Sequence, residues 1–144
     1  MFSNWKDKRI ERLFDEVAKN VASKEKDIGS FSTLLSNWNL KGKSVLEVGC
    51  GTGDNLFYCA KKGAQYIEGF DISGENIKLA QSKISNAKNI VLKKCAVEEY
   101  VTERKFDIIV AWGVFEYVNS PSESLKKISA FLAKNGIIVL LISK

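Results

Sequence analysis

The feature that most constrains this chain is a short apolar run that ends in alternating glycines. Ser44–Val48 leads directly into Gly49, Gly51 and Gly53, and a helix-like stretch of about Asp54–Lys62 follows, with Gly63 as its stop. A strand that passes through such a loop into a helix lets the backbone approach a ligand closely. It also aims helix N-terminal amides at that ligand. In the dinucleotide fingerprint the third glycine would fall at position 54, which is Asp54 here. A carboxylate beside a pyrophosphate is repulsive, so a nucleotide-dependent oxidoreductase is a weak reading. Glu47, inside the strand just before the first glycine, instead suits a ligand carrying an amino group or a sulfonium.

Around that loop the hydrophobic period switches repeatedly. Ile10, Leu13, Phe14, Val17 and Val21 recur at helical spacing, and a break near Lys24–Asp27 precedes a second helical stretch, roughly Ile28–Trp38. Tyr66–Phe70 reads as a strand ending at Asp71. Ser73 caps a helix over Gly74–Asn86, with Leu79 and Ile84 inward. Asn89–Lys93 and Phe106–Ala111 read as further strands. A helix over Ser122–Lys134, with Pro121 at its start and Asn135-Gly136 at its end, leads to a fifth strand, Ile137–Ile142. Alternation of this kind predicts a parallel sheet with helices on both faces. With 144 residues, 45% of them hydrophobic, the chain is sized for one domain.

Four stretches carry a resemblance: VLEVGCGTGDN (45–55), GFDISGENIKLAQ (69–81), FDIIVAWGVFEYV (106–118) and FLAKNGIIVLLI (131–142). In this order and spacing, over about 40–144, they resemble the motifs of class I S-adenosylmethionine-dependent methyltransferases. The resemblance implies a three-layer α/β/α Rossmann-like sandwich with a largely parallel sheet of order 3-2-1-4-5. It also implies a cofactor-binding core over 41–144 and S-adenosylmethionine as cofactor, and the helical stretch 1–40 reads as a cap within the same domain. Glu47 would take the methionyl amino group, directly or through water. The loop Gly49, Cys50, Gly51 and Gly53 would contact the methionine moiety and ribose through its backbone. Asp71 would accept the ribose hydroxyls, and Ile72 would pack on the adenine face. Ala96 and Val97 would border the adenine edge, while Ala111 and Trp112 would lie near the methionine end.

Three departures bear on function. Where the family commonly has an acid before the alanine of the adenine loop, this chain has Cys95-Ala96, with Glu98 or a backbone carbonyl as substitute. Where many small-molecule methyltransferases carry Glu-His, it has Glu116-Tyr117, which become the candidate catalytic pair. The last two strands of the family's sheet are missing. Strand 137–142 would then be an apolar edge. A truncated piece of a longer enzyme, pairing with a second copy and completion by a partner chain are the competing explanations, the first two preferred, and a non-catalytic cofactor-binding module is the alternative reading.

Composition excludes more than it assigns. The chain has no histidine, and its three cysteines show no CxxC spacing, so neither a zinc site nor a disulfide framework is expected. The net charge of +5 comes mainly from scattered lysines; Arg9, Arg12 and Arg104 are the arginines. A nucleic-acid partner is not indicated. No signal-like or membrane-length apolar run occurs, which predicts a cytoplasmic protein. A small-molecule, protein or RNA acceptor fits the family resemblance, and the aromatic-lined N-terminal helices favour a small molecule.

Overall fold

In the computed structural model, residues 5–21 and 35–142 are described. The first helix, α1, spans Trp5–Val21. Strand and helix then alternate as β1 (Ser44–Val48), α2 (Asp54–Lys61), β2 (Tyr66–Asp71), α3 (Gly74–Lys83) and β3 (Ile90–Lys94). The chain continues through β4 (Phe106–Trp112) and α4 (Pro121–Ser129) to β5 (Leu132–Leu141). The five strands form one sheet of order β3-β2-β1-β4-β5, every neighbouring pair parallel.

The three central strands are buried almost throughout, which is why they read as continuous apolar runs. Register decides which core each residue enters. Val45 pairs with Ile67 and Ile108, and these join Leu40, Leu56 and Cys59 on one face. Leu46 lies one step along, and it packs with Val48, Phe70, Tyr100, Ile109 and Ile128 on the other. Strand order reverses at β1, whose neighbours are β2 and β4. The crevice beyond the carboxyl ends of these three strands is where open α/β sheets bind ligands.

Two boundaries differ from the sequence reading. Helix α4 stops at Ser129, not Lys134, and Asn135-Gly136 lie inside β5 rather than at a helix end. Phe106 pairs with Leu132 while Ile108 pairs with Ile137, so β5 bulges between them. Asn135 adopts φ 63, and a Cβ on Gly136 would sit 2.9 Å from the carbonyl oxygen of Phe106. Asn and Gly together thus allow a tight bulge, a need that local spacing does not separate from a helix stop. Helix α3 ends at Lys83, with Ile84 as a buried cap. Its inward residues are Asn76 and Ala80, whereas Leu79 is only half-buried. Of the second N-terminal helix, residues 28–34 lie outside the described residues, as does the break at Lys24–Asp27. Leu35 is fully buried in the core. No helix among the described residues is long and apolar enough to cross a membrane.

Candidate functional site

The floor of the site is made by backbone. Gly49 and Gly51 both take positive φ, 70° and 53°, the left-handed region that glycine enters without penalty. A Cβ at Gly49 would stand 2.3 Å from Val114 Cγ2, so the strand end packs directly under the loop after β4. A Cβ at Gly51 would meet nothing within 4 Å, and the same holds at Gly113. These two glycines leave open space. Gly53 serves packing instead: its Cβ would be 2.9 Å from that of Ala80, which lets α2 start close against α3.

Asp71, at the end of β2, organises this floor. It is 7% exposed, and its Oδ2 accepts from the Gly51 amide at 2.8 Å. Its Oδ1 accepts from the Ser73 amide at 2.8 Å and from Asn76 Nδ2 at 3.4 Å. Hydrogen bonds from two amides and a side-chain amide stabilise the ionised carboxylate. Glu47 is buried behind Gly49 and accepts from Asn55 Nδ2 at 2.7 Å.

Above the floor lies a cavity of about 210 Å³. Of the residues singled out in the sequence, Gly49, Gly51, Asp71, Ile72, Ala96, Val97, Trp112 and Tyr117 line it. Glu47, Cys50, Gly53, Ala111 and Glu116 do not. Cys50 is turned into the core and its amide is spent on the Phe70 carbonyl at 2.9 Å; burial pushes its thiol well up. Glu116 is exposed and borders a separate groove outside the cavity. Cys95 and Glu98 both reach the wall, in the region expected to meet the adenine. Burial raises the Cys95 thiol to about 11, so it stands there as a neutral, weak hydrogen-bond donor.

The roof is α1, which lies in the stretch 1–40 that the sequence reads as a helical cap. Ile10, Phe14, Val17 and Ala18 face the cavity, and Phe14 meets Tyr117 edge-to-face at 5.1 Å. The apolar periodicity of α1 was legible, but as a core-facing stripe. On the adjoining side of α1, Glu11 pairs with Lys94 at 2.6 Å. Asp15 Oδ1 accepts from Ser73 Oγ at 2.5 Å and from the Glu75 amide at 3.2 Å, at the N-terminus of α3. Burial pushes the Asp15 carboxyl up, but the bonds from Ser73 and Glu75 outweigh it and leave it below its ordinary value.

A second buried glutamate escaped the sequence reading. Glu68, 1% exposed on β2, accepts from Tyr66 at 2.7 Å, Tyr100 at 2.8 Å and Lys93 at 2.6 Å. Burial alone would raise its carboxyl; the bonds from Lys93 and the two tyrosines hold it low. Tyr100 stacks on Phe70 at 4.2 Å, and Phe70 lines the cavity. This network supports the floor from beneath. It belongs to structure rather than to the reacting surface.

With this geometry in view, the likeness to known proteins is direct. A family model described as a methyltransferase domain matches residues 7–143. The malonyl-[acyl-carrier protein] O-methyltransferase of Halalkalibacterium halodurans is 28% identical over 102 residues, 67% of this chain and 38% of that protein. The tRNA U34 carboxymethyltransferase of Pseudoalteromonas translucida is 32% identical over 105 residues, 70% of this chain and 32% of its own length. The chain therefore spans well under half of either relative. A solved SAM-dependent methyltransferase of Thiobacillus denitrificans, in complex with S-adenosyl-L-homocysteine, shares the fold with a TM-score of 0.73 at 20% identity. That alignment covers 90% of this chain and 54% of the other. The chain belongs to the class I S-adenosylmethionine-dependent methyltransferase family.

Proposed function

We propose that this chain binds S-adenosylmethionine in the cavity between the glycine floor and α1, and that its methyl group passes to a small-molecule acceptor. The observation that carries the reading is Asp71, a buried carboxylate fixed by amide donors beside the open space over Gly51 and Gly113. The residues fit such a ligand. Asp71 would hold the ribose hydroxyls, Ile72 the adenine face, and Ala96 and Val97 its edge. Glu47, behind Gly49, would reach the methionyl amino group through water. Gly49 and Gly51 would contribute backbone, and Trp112 would close the methionine end.

The bound cofactor would supply an already activated methyl group, which leaves the protein mainly positioning and exclusion of water. Tyr117, in the cavity wall, is placed to orient an acceptor; Glu116 would act from outside the cavity. In this reading residues 1–40 form a cap and 41–144 the cofactor-binding core of one domain. The unpaired cysteines agree with a cytoplasmic setting. Pairing with a second copy through β5, partnered among the described residues by β4 alone and exposed at Ile137, is part of the same proposal. A concentration-dependent dimer in sedimentation would support it, and a monomer throughout would remove it.

Isothermal titration with S-adenosylhomocysteine tests the cofactor reading. Micromolar binding by the wild type, abolished in Asp71→Ala, is expected; a wild type that does not bind ends the proposal. A second reading, a cofactor-binding module without turnover, is favoured by Cys95 standing where the family commonly has an acid before the alanine of the adenine loop. Binding without methyl transfer across a broad acceptor panel would select it.

A further inference from the structure

A second recess lies on the outer side of α1. It is an open groove of about 900 Å³, within the range of small-molecule sites. Its walls combine two chemistries. Lys8, Arg9 and Arg12 supply positive charge, while Ile10, Leu13 and Tyr117 supply apolar surface. Glu16 and Glu116 also border it, so cations outnumber carboxylates by three to two. Leu13 is 49% exposed and Tyr117 42%, an apolar area beyond what the cavity roof uses.

Helical spacing explains why the charges gather here. On α1, Glu11 and Asp15 are one turn apart and are consumed by Lys94 and the start of α3. Ile10, Phe14 and Val17 turn to the cavity. Lys8, Arg9 and Arg12 are left on the remaining arc, and none of them is held in an ion pair among the described residues. Two of the chain's three arginines are therefore in one groove, with forked donors suited to a carboxylate or a phosphate. The groove adjoins the cofactor cavity, because Ile10 and Tyr117 line both.

We propose that this groove is the acceptor entrance, and that it takes small molecules in which an apolar body carries a carboxylate or a phosphate. Arg9 and Arg12 grip the anion, and Leu13, Ile10 and Tyr117 cover the body. The nucleophilic end is directed past Tyr117 toward the cavity. The inference rests on the cofactor reading above for its catalytic meaning, but its binding chemistry is tested separately.

The test compares two fluorescent probes of the same apolar shape, anilinonaphthalene sulfonate and uncharged phenylnaphthylamine, in the presence of excess S-adenosylhomocysteine. The sulfonate is expected to bind the wild type more tightly. The double variant Arg9→Gln/Arg12→Gln should weaken it about tenfold and the uncharged probe less than about twofold. Lys78→Gln, a cation on α3 away from the groove, controls for bulk charge. Octanoate or octyl phosphate should displace the sulfonate, and the more effective of the two identifies the anion. Equal binding of both probes, no effect of the double variant, or an equal loss in Lys78→Gln overturns the proposal. Displacement by bulk transfer RNA but by neither small acid also overturns it, assigning the groove to a polyanion. A wild type that fails to bind S-adenosylhomocysteine ends the cofactor reading alone, and the probe comparison still decides the groove.

Discussion

The cavity has a floor and a roof built on opposite principles. The floor is backbone: left-handed glycines, amides and one buried aspartate, set on three strands that are buried on both faces. The roof is side chains: a half-exposed helix that reaches the core through apolar contacts, an ion pair and the Asp15 bonds. A floor of this kind is shared by the whole sheet and moves only if the sheet unfolds. A roof of this kind opens for the loss of a few exposed polar contacts, each contributing only about 1 kcal/mol. A site that must admit a cofactor needs one rigid wall and one that yields.

The sharpest way to break this contrast is Asp71→Ala, because it removes the group that ties Gly51 to β2. Two charge-assisted bonds of about 1.5–3 kcal/mol each are at stake, so affinity for S-adenosylhomocysteine should fall by about 100-fold or more in calorimetry. Next comes a pair of glycines. Gly49→Ala combines backbone strain with a collision against Val114 and should cost about 2–4 kcal/mol in urea unfolding. Gly51→Ala faces open space and should cost only about 1–2 kcal/mol, while its methyl group still obstructs the cavity. Equal stability losses would mean that the floor is not packed as described.

The roof should respond more gently. Asp15→Ala is expected to weaken S-adenosylhomocysteine binding by about threefold to tenfold and to speed hydrogen exchange in α1, while β1 exchange stays slow. An unchanged α1 would show that the apolar contacts suffice. The smallest effect concerns pH. Because the Asp15 carboxyl is held below its unfolded value of about 3.9, its contribution is complete above that value. It is lost as pH falls through the folded value, so α1 exchange should rise relative to β1 below about pH 4. Glu68, also held low, contributes in the same window, but to the sheet. An equal loss of protection in both regions would erase the distinction between roof and floor.

Much of the floor could be read directly. Strand β1, the glycine loop, α2, and Asp71 followed by the Ser73 cap are neighbours in sequence, and their spacing carries their geometry. The alternating elements and the strand order implied by the family resemblance agree with the sheet. Less legible were residues whose roles depend on which way a side chain turns. Cys50 lies in the loop but points into the core, and Glu116 follows the β4 loop but stays outside the cavity. Of two buried glutamates on adjacent strands, Glu47 was noticed because a glycine follows its strand. Glu68 went unnoticed because its partners Tyr100 and Lys93 come from later parts of the chain.

The sequence by itself determined the order of elements and the glycine loop, because these are set by backbone conformation over a few residues. Tertiary structure alone decided which residues of α1 form the roof and which tie it down. The contacts that tie it down join residues 58, 60 and 83 positions apart. The bulge in β5 and the clustering of Arg9 and Arg12 beside Tyr117 were decided at the same level. A helical period fixes which residues share a face of α1. What each face meets depends on chain closure over those distances, which no local spacing encodes.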